Sequence, residues 1–164
     1  MQRQINEEEL KVFYNLIGEA VWLIQYLEDV MVTFVVAKMH KRQPATAAEA
    51  FSRLEKERKG TLGTIYKKAK SEGAIPPAYE TRFDKLLEER NWLIHRSKGE
   101  SSSDLYNDAF RMRMIQRISR IQEESVQLRQ VLFNEFRSFL LAEGCDTDLA
   151  FRMGDERIRK LKGE

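Results

Sequence analysis

The stretch FRMRMIQRISRIQEESVQLRQVLFNEFRSF, residues 110–139, decides the fold class of this chain of 164 residues. Its large apolar residues recur at steps of four and three, which average to the period of an α-helix. The members of this stripe are Phe110, Met114, Ile118, Ile121, Leu128, Leu132, Phe136 and Phe139, with Ser125 as the one polar residue. We expect a helix from about Asp104 to Glu143, roughly 60 Å long at 1.5 Å per residue and ended by Gly144.

A second long helix is predicted near the N-terminus. Asn6 and Glu9 have the spacing of a capping box, in which each side chain accepts a hydrogen bond from the backbone N–H of the other residue. The helix is expected to run to about His40, roughly 50 Å at 1.5 Å per residue. Its apolar residues cover more than one side, which is typical of a helix at the centre of a bundle or at a subunit interface.

Two short helices are expected to follow. Thr46 and Glu49 form a second capping box, and the helix that they begin ends at Gly60. The next helix lies in TLGTIYKKAK, residues 61–70, and is closed by Gly73.

A third short helix begins at the two prolines of AIPPAYE, residues 74–80, because proline is tolerated in the first turn of a helix. It is expected to reach His95 or Arg96. The stretch RSKGESSS, residues 96–103, predicts a polar loop, and SSSD at 101–104 is expected to cap the last helix.

These elements indicate an all-α fold, a helical bundle with two long antiparallel helices and two or three shorter helices joined by short connections. Residues 1–144 are expected to form the bundle, and residues 145–164 a short C-terminal helical appendage. The sequence contains no alternating strand pattern, internal repeat or glycine-rich phosphate loop.

Composition narrows the functional classes. The net charge is only +2, so overall charge does not indicate nucleic acid, although residues 90–120 contain seven Lys or Arg and only three acidic residues. The single cysteine excludes an internal disulfide, and no HExxH or CxxC spacing indicates a metal site. No signal peptide is present, and the most apolar run, residues 30–37, is too short to span a bilayer. We therefore expect a cytoplasmic protein without metal, cofactor or membrane contact.

The stretch ERNWLIHRSKG, residues 89–99, departs from the pattern of its helix. In a regular helix Phe83, Leu87 and Ile94 share one apolar face, and Arg90 lies in the middle of that face. An arginine in an apolar stripe is uncommon unless its charge is paired or reaches a cleft. Arg90 is therefore expected either to pair with a buried acid of another helix or to serve a functional site.

Arg90, Asn91 and His95 carry a family resemblance. An arginine, an adjacent asparagine and a histidine at this spacing, at the end of an amphipathic helix in a bundle, resemble the motif of the HEPN superfamily. The run TLGTIYKKAKSEGAIPPAYETRFDKLLEERNWLIHR, residues 61–96, is similar to the middle of bacterial members. The likeness covers about residues 50–98. It implies a metal-independent endoribonuclease that is active as a homodimer, with the motifs of both subunits facing each other.

The resemblance also implies catalytic residues and partners. The catalytic residues would be Arg90, Asn91 and His95. Many relatives are toxins or phage-defence effectors, so the implied partners are RNA, a second copy of the chain, and an antitoxin or nucleotidyltransferase. Other relatives have lost catalysis, and the alternative function is a non-catalytic helical dimer that binds a partner protein or a nucleotide.

The residue types of the motif suit RNA cleavage without a metal. Histidine titrates near neutrality and can activate the ribose 2′-hydroxyl, while arginine stays charged and presents a fork that matches phosphate oxygens. Asn91 can orient the ring of His95 or a substrate oxygen. On a regular helix Arg90 and His95 lie about 140° apart. Either the helix loosens, the arginine reaches around it, or a second subunit completes the site.

Basic residues after the motif are candidates for RNA binding. They are Arg96, Lys98, Arg113, Arg117 and Arg120. Such a row is also typical of a solvated helix face, and it bears on RNA only if it lies near His95. His95 can equally be a C-terminal helix residue that the helix dipole favours. Trp92, predicted opposite the core, either packs against another element or stacks on a base.

Overall fold

A computed structural model describes residues 5–101 and 104–148, and over these ranges the chain is an all-α helical bundle. Its α-helices are α1 Glu7–Arg42, α2 Ala47–Arg58, α3 Leu62–Ser71, α4 Glu80–Asn91, α5 Ser97–Ser101 and α6 Asp108–Ala142. A 3₁₀ turn at Pro77–Tyr79 precedes α4, a π-helical turn at Trp92–Arg96 joins α4 to α5, and a second 3₁₀ turn at Asp104–Tyr106 precedes α6. The predicted fold class is confirmed.

Both predicted capping boxes form. The Asn6 side chain accepts a hydrogen bond from the Glu9 backbone N–H at 2.8 Å, and the Glu9 carboxylate accepts one from the Asn6 N–H at 3.1 Å. Thr46 and Glu49 repeat this arrangement at the start of α2. Gly73 follows α3 with a φ of 63°, a left-handed conformation that favours glycine at the end of a helix. These local signals therefore set the helix boundaries as expected.

The two long helices run parallel, and the predicted antiparallel arrangement is wrong. Contacts between α1 and α6 advance in the same direction along both helices. From one end of the bundle to the other, the contacting pairs are Glu9 with Arg111, Leu16 with Gln122, Phe34 with Phe136, and Lys41 with Glu143. The N-termini of α1 and α6 therefore lie at the same end of the bundle.

The shorter helices explain this direction. α2 is antiparallel to α1, α3 is parallel to α1, and α4 is antiparallel to α6. The direction of α2 follows from Arg53 with Gln43 and Arg58 with Asp29. That of α3 follows from Ile65 near Val32 and Glu72 with Arg42. That of α4 follows from Arg82 with Glu124 and Glu89 with Arg117. Apart from the five-residue α5, the bundle has five helices that alternate in direction, so the first, α1, and the last, α6, are parallel. Short connections make sequence neighbours antiparallel, and α1 and α6 are not neighbours in sequence.

The core lies between α1 and α6 and extends to α3 and α4. The buried α6 side chains of the predicted stripe are Met114, Ile118, Ile121, Ser125, Leu128 and Leu132. The buried Ser125 hydroxyl donates to the Ile121 carbonyl at 2.7 Å, so it is satisfied within its own helix. Phe110, by contrast, is 41% exposed. Its predicted place in the core is wrong because it lies in the first turn of α6, at the end of the bundle.

α1 is only partly covered by the other helices. Its apolar 18-residue window has a mean hydropathy of 1.6, and 44% of that window is buried inside the bundle. The helix is long and apolar enough to cross a membrane, and the core helix of a soluble protein has the same length and composition. The predicted burial from several directions is confirmed for residues such as Leu27 and Met31, whereas Trp22 and Tyr26 are exposed.

The last long helix begins later than predicted. Its N-cap is Asn107, whose side chain accepts hydrogen bonds from the backbone N–H groups of Ala109 and Phe110 at 3.0 and 3.3 Å. Asp104 belongs to the preceding 3₁₀ turn rather than to α6. Within the predicted cap at 101–104, residues 102–103 lie outside the described ranges.

Two further predictions concern the chain on either side of α6. The predicted loop at 96–103 is wrong over its first half, because Ser97–Ser101 continue the helical path as α5. Gly144 closes α6 with a φ of 74°, as expected. Most of the predicted C-terminal appendage, residues 149–164, lies outside the described residues, and the appendage stays a prediction.

Candidate functional site

α4 does not pass through the motif as a regular helix. At Trp92–Arg96 it widens into a π-helical turn, closed by the Ser97 backbone N–H, which donates to the Trp92 carbonyl five residues earlier. The Ser97 hydroxyl donates to the Leu93 carbonyl at 2.6 Å. π-Helical turns are rare and occur frequently at functional sites. The helix thus loosens within the motif, the first of the three ways in which Arg90 and His95 could serve one phosphate.

The turn changes which side chains are buried. Trp92 is 3% exposed and Ile94 is 43% exposed, so the predicted positions of both residues are wrong. Trp92 is buried because α5 and α6 cover it, and its Nε1 donates to the Glu100 carboxylate at 2.9 Å. Ile94 leaves the core because the extra residue of the turn shifts it from the face that a regular helix would give it. The packing role expected for Trp92 is therefore the one observed.

The three motif residues differ in exposure. Arg90 is half-buried, whereas Asn91 and His95 are exposed. An Arg90 guanidinium nitrogen donates to Asn91 Oδ1 at 3.4 Å, which is a long hydrogen bond. Because residues five apart lie about one turn apart in a π-helical turn, His95 is closer to the side of Arg90 than a regular helix would place it.

The charge of Arg90 acts on Glu28 of α1. Burial raises the pKa of the Glu28 carboxyl above its ordinary value, the positive charge of Arg90 opposes this rise, and Asp29 adds to it. Arg90 forms no ion pair with any carboxylate of the described residues. The Arg90 guanidinium is thus attracted towards α1 but does not donate a hydrogen bond to Glu28.

Arg117 is held in place by the structure. Its Nε and one of its terminal nitrogens donate to the Glu89 carboxylate at 2.6 and 3.1 Å. The guanidinium also lies over the Trp92 ring, 3.6 Å from the ring centroid. Such a two-bonded pair stacked on an aromatic ring fixes α6 against the end of α4. Arg117 therefore holds α4 in place, and few of its guanidinium N–H groups remain available to a phosphate.

The other predicted RNA-binding residues divide into two groups. Arg113 and Arg120 are exposed and line a groove between α4 and α6, together with Arg117. Arg96 and Lys98 lie in the π turn and α5, where they are exposed, and Arg96 is 3.9 Å from Glu100. The basic row of α6 thus lies beside α4, and its nearness to His95 stays a prediction.

Two groups of residues near the motif were not among the predicted site residues. Glu28 acts on Arg90 from α1, and the signal for it was a pair of acids at 28–29 within an otherwise apolar helix. Lys85 and Arg82 line the groove from α4. Nothing in the sequence marks these two, because their place opposite α6 depends on how the helices pack.

The arrangement offers a cation, an amide and an imidazole at one solvent-accessible turn. In the described ranges, no three His, Cys, Asp or Glu side chains are grouped so that they could hold a metal ion. An imidazole can move a proton, and a guanidinium can balance the charge of a phosphate. No protein-family model, curated protein or solved structure matches this sequence.

Proposed function

We propose that this chain is a metal-independent endoribonuclease of the HEPN type, a cytoplasmic toxin or phage-defence effector that acts as a homodimer. The observation that carries the proposal is the π-helical turn at Trp92–Arg96, which leaves Asn91 and His95 in solvent directly after the half-buried Arg90. π-Helical turns occur frequently at functional sites, and an exposed imidazole is free to exchange a proton with a substrate. An antitoxin or nucleotidyltransferase is the proposed regulator.

The proposed reaction uses these residues as follows. His95 accepts the proton of the ribose 2′-hydroxyl, the bond from O2′ to phosphorus forms, and the bond from phosphorus to O5′ breaks. The leaving O5′ takes a proton from the second His95 of the dimer or from water. Arg90 balances the negative charge that builds up on the phosphorane, and Asn91 orients the imidazole. The products are a 2′,3′-cyclic phosphate and a 5′-hydroxyl end.

The dimer is part of the proposal because one motif supplies a single imidazole and a single guanidinium. A twofold axis beside the π turn would bring a second set to the same phosphate. Ile94, Tyr106 and Phe110 are exposed at the end of the bundle that contains the motif, and an interface there would cover them.

The chemistry of the cut ends tests this function. A labelled RNA is incubated with the protein in EDTA, the cut is mapped, and the substrate is resynthesised with one 2′-deoxy sugar at that position. We expect a 2′,3′-cyclic phosphate from the RNA and no cut at the deoxy position. Cleavage at the deoxy sugar, or cleavage that EDTA abolishes, would contradict the proposal.

A further inference from the structure

The groove between α4 and α6 has a volume of about 800 Å³, and its lining includes Glu89 but none of Arg90, Asn91 and His95. α4 and α6 are antiparallel here, with Arg82 opposite Glu124 at one end and Glu89 opposite Arg117 at the other. Arg117 in turn lies on Trp92, the first residue of the π turn. One end of the groove therefore lies at Trp92, where the π turn begins.

Two of the five basic side chains that line the groove are already committed. Arg82 donates to both Glu124 carboxylate oxygens at 2.7 and 2.8 Å and to Gln127 at 2.7 Å. The hydrogen bond from Arg82 to Glu124 raises the pKa of this arginine, which keeps it charged. Arg117 is held by Glu89 in the same two-bonded way. These pairs form the walls of the groove.

The other three basic side chains have no ion pair within the described residues. Lys85 lies on α4, and Arg113 and Arg120 lie on α6. Arg113 stacks over the Phe110 ring at 4.3 Å, a contact that leaves the N–H groups of the guanidinium available. Glu123 is the one acid of the groove outside the two pairs, so the unpaired charge of the groove is positive.

The spacing of these cations follows the groove. Arg113 and Arg120 are seven residues apart, which is two helical turns or about 10 Å on the same side of α6. Lys85 lies across the groove, between the positions of Arg82 and Glu89 on α4. A chain of phosphates that runs along the groove would meet positive charge on both walls.

We propose that this groove binds the backbone of single-stranded RNA and leads it to the π turn, with Lys85, Arg113 and Arg120 as the phosphate contacts. The inference rests on the proposed function, because it assigns the path of that substrate. The groove volume is within the range of about 300–1,000 Å³ that is typical of small-ligand sites. A single strand is the proposed occupant because its flexible backbone can follow a groove between two helices, which a stiff duplex cannot. The ring face of Trp92 is covered by Arg117 and cannot stack on a base, and binding is therefore largely independent of sequence.

Salt dependence of binding tests the groove separately from cleavage. Fluorescence anisotropy of an end-labelled single-stranded RNA is measured over a NaCl series, with His95→Ala as the background so that the RNA stays intact. Each phosphate contact contributes about −0.7 to the slope of log K against log salt for a single strand. Single Gln variants of Lys85, Arg113 and Arg120 should each reduce the slope by about 0.7, and the triple variant by about 2.

Arg129→Gln is the matched control, because Arg129 is on α6 but lies over Tyr26 of α1, away from the groove. It should leave the slope unchanged, and duplex RNA should bind more weakly than the single strand. Three results would contradict RNA binding in the groove. They are an unchanged slope in the triple variant, an equal reduction of the slope in Arg129→Gln, and duplex RNA that binds as tightly as the single strand. If wild type cuts RNA and the triple variant binds normally, only the groove is wrong. If the groove binds RNA that wild type never cuts, the proposed function fails and the groove stands.

Discussion

At the scale of single residues, the question is how a bundle accommodates an arginine within an apolar stripe. Arg90 is half-buried, is attracted to Glu28 across the helix packing, and has no carboxylate at ion-pairing distance among the described residues. A structural arginine looks different in this molecule. Arg111 is 6% exposed, and it pairs with Glu9 and Asp108 and donates to the Leu105 carbonyl. Arg90 lacks such a set of partners, which leaves its charge available for the proposed role at a phosphate.

The first prediction concerns replacement of Arg90. Arg90→Ala should abolish RNA cleavage, because the phosphorane loses its cation. The free energy of unfolding should change by less than about 1 kcal/mol, since no ion pair is broken. Arg111→Ala provides the comparison and should cost about 3 kcal/mol, because it removes a buried guanidinium that donates to Glu9, Asp108 and the Leu105 carbonyl. Thermal melts and a cleavage assay measure both effects. A loss in Arg90→Ala as large as that in Arg111→Ala would mean that Arg90 is structural.

The second prediction concerns the pH dependence of stability through Glu28. Its pKa is raised in the folded protein, so the folded state binds this proton at a higher pH than the unfolded chain, whose ordinary value is 4.5. The contribution of Glu28 to stability is therefore complete below pH 4.5 and is lost as the pH rises through the raised value. Glu28→Gln should melt at a higher temperature than wild type at neutral pH and at an equal temperature under acid conditions.

The exposed Glu123→Gln removes the same charge and should produce no such pH-dependent difference. If Glu28→Gln lowers the melting temperature at neutral pH, the attraction of Arg90 outweighs the burial of the carboxyl.

At the scale of elements, the π turn is the feature that the sequence did not reveal. The capping boxes at the starts of α1 and α2 and the glycines after α3 and α6 are local, since each depends on residues within a few positions of one another. They could be predicted, and they form. A π turn contains one extra residue and forms where tertiary contacts stabilise it. Here those contacts are the burial of Trp92 beneath Arg117 and its hydrogen bond to Glu100. Periodicity calculated for a regular helix therefore misplaced Trp92 and Ile94.

The third prediction removes the extra residue of this turn. Deletion of Ile94 should allow the stretch to close as a regular helix, with Trp92 still buried and the helix after Ser97 still in register. The fold should persist by circular dichroism, whereas cleavage should be lost because His95 moves into the place of Ile94 and loses the position relative to Arg90 and Asn91 that the π turn gives it. Ile94→Ala keeps the turn and is the control for the lost side chain. Full activity in the deletion variant would show that the π turn has no part in the site.

At the scale of the whole molecule, the number of helices between α1 and α6 determines whether these two long helices are parallel or antiparallel. The sequence identified five helical segments and their caps, and alternation of direction along short connections then requires the first and fifth to be parallel. The antiparallel prediction treated the two long helices as neighbours and left out the three helices between them. The motif Arg90, Asn91 and His95 could be recognised in the sequence, and its role as a site stays a prediction. Its surroundings, Glu28 and the groove at Lys85, depend on which helices pack together and could not be predicted from sequence alone.

The fourth prediction is the oligomeric state. Light scattering should give about twice the mass of the 19.3 kDa chain. Ile94→Glu should produce a monomer and abolish cleavage, because it places a charge in the interface beside the motif. Trp22→Glu changes an exposed aromatic residue of α1 and should leave the dimer intact. A wild-type monomer, or a dimer that only Trp22→Glu disrupts, would remove the shared site.

The fifth and most direct test is RNA cleavage in EDTA by wild type, His95→Ala and His40→Ala, with a thermal melt of each protein. His40 is the only other histidine, and it is exposed at the opposite end of the bundle from the motif. We predict cleavage by wild type and by His40→Ala, none by His95→Ala, and melting temperatures that agree closely, because both side chains are exposed. Equal cleavage by all three proteins, or no cleavage by wild type together with a large loss of stability in His95→Ala, would contradict the account.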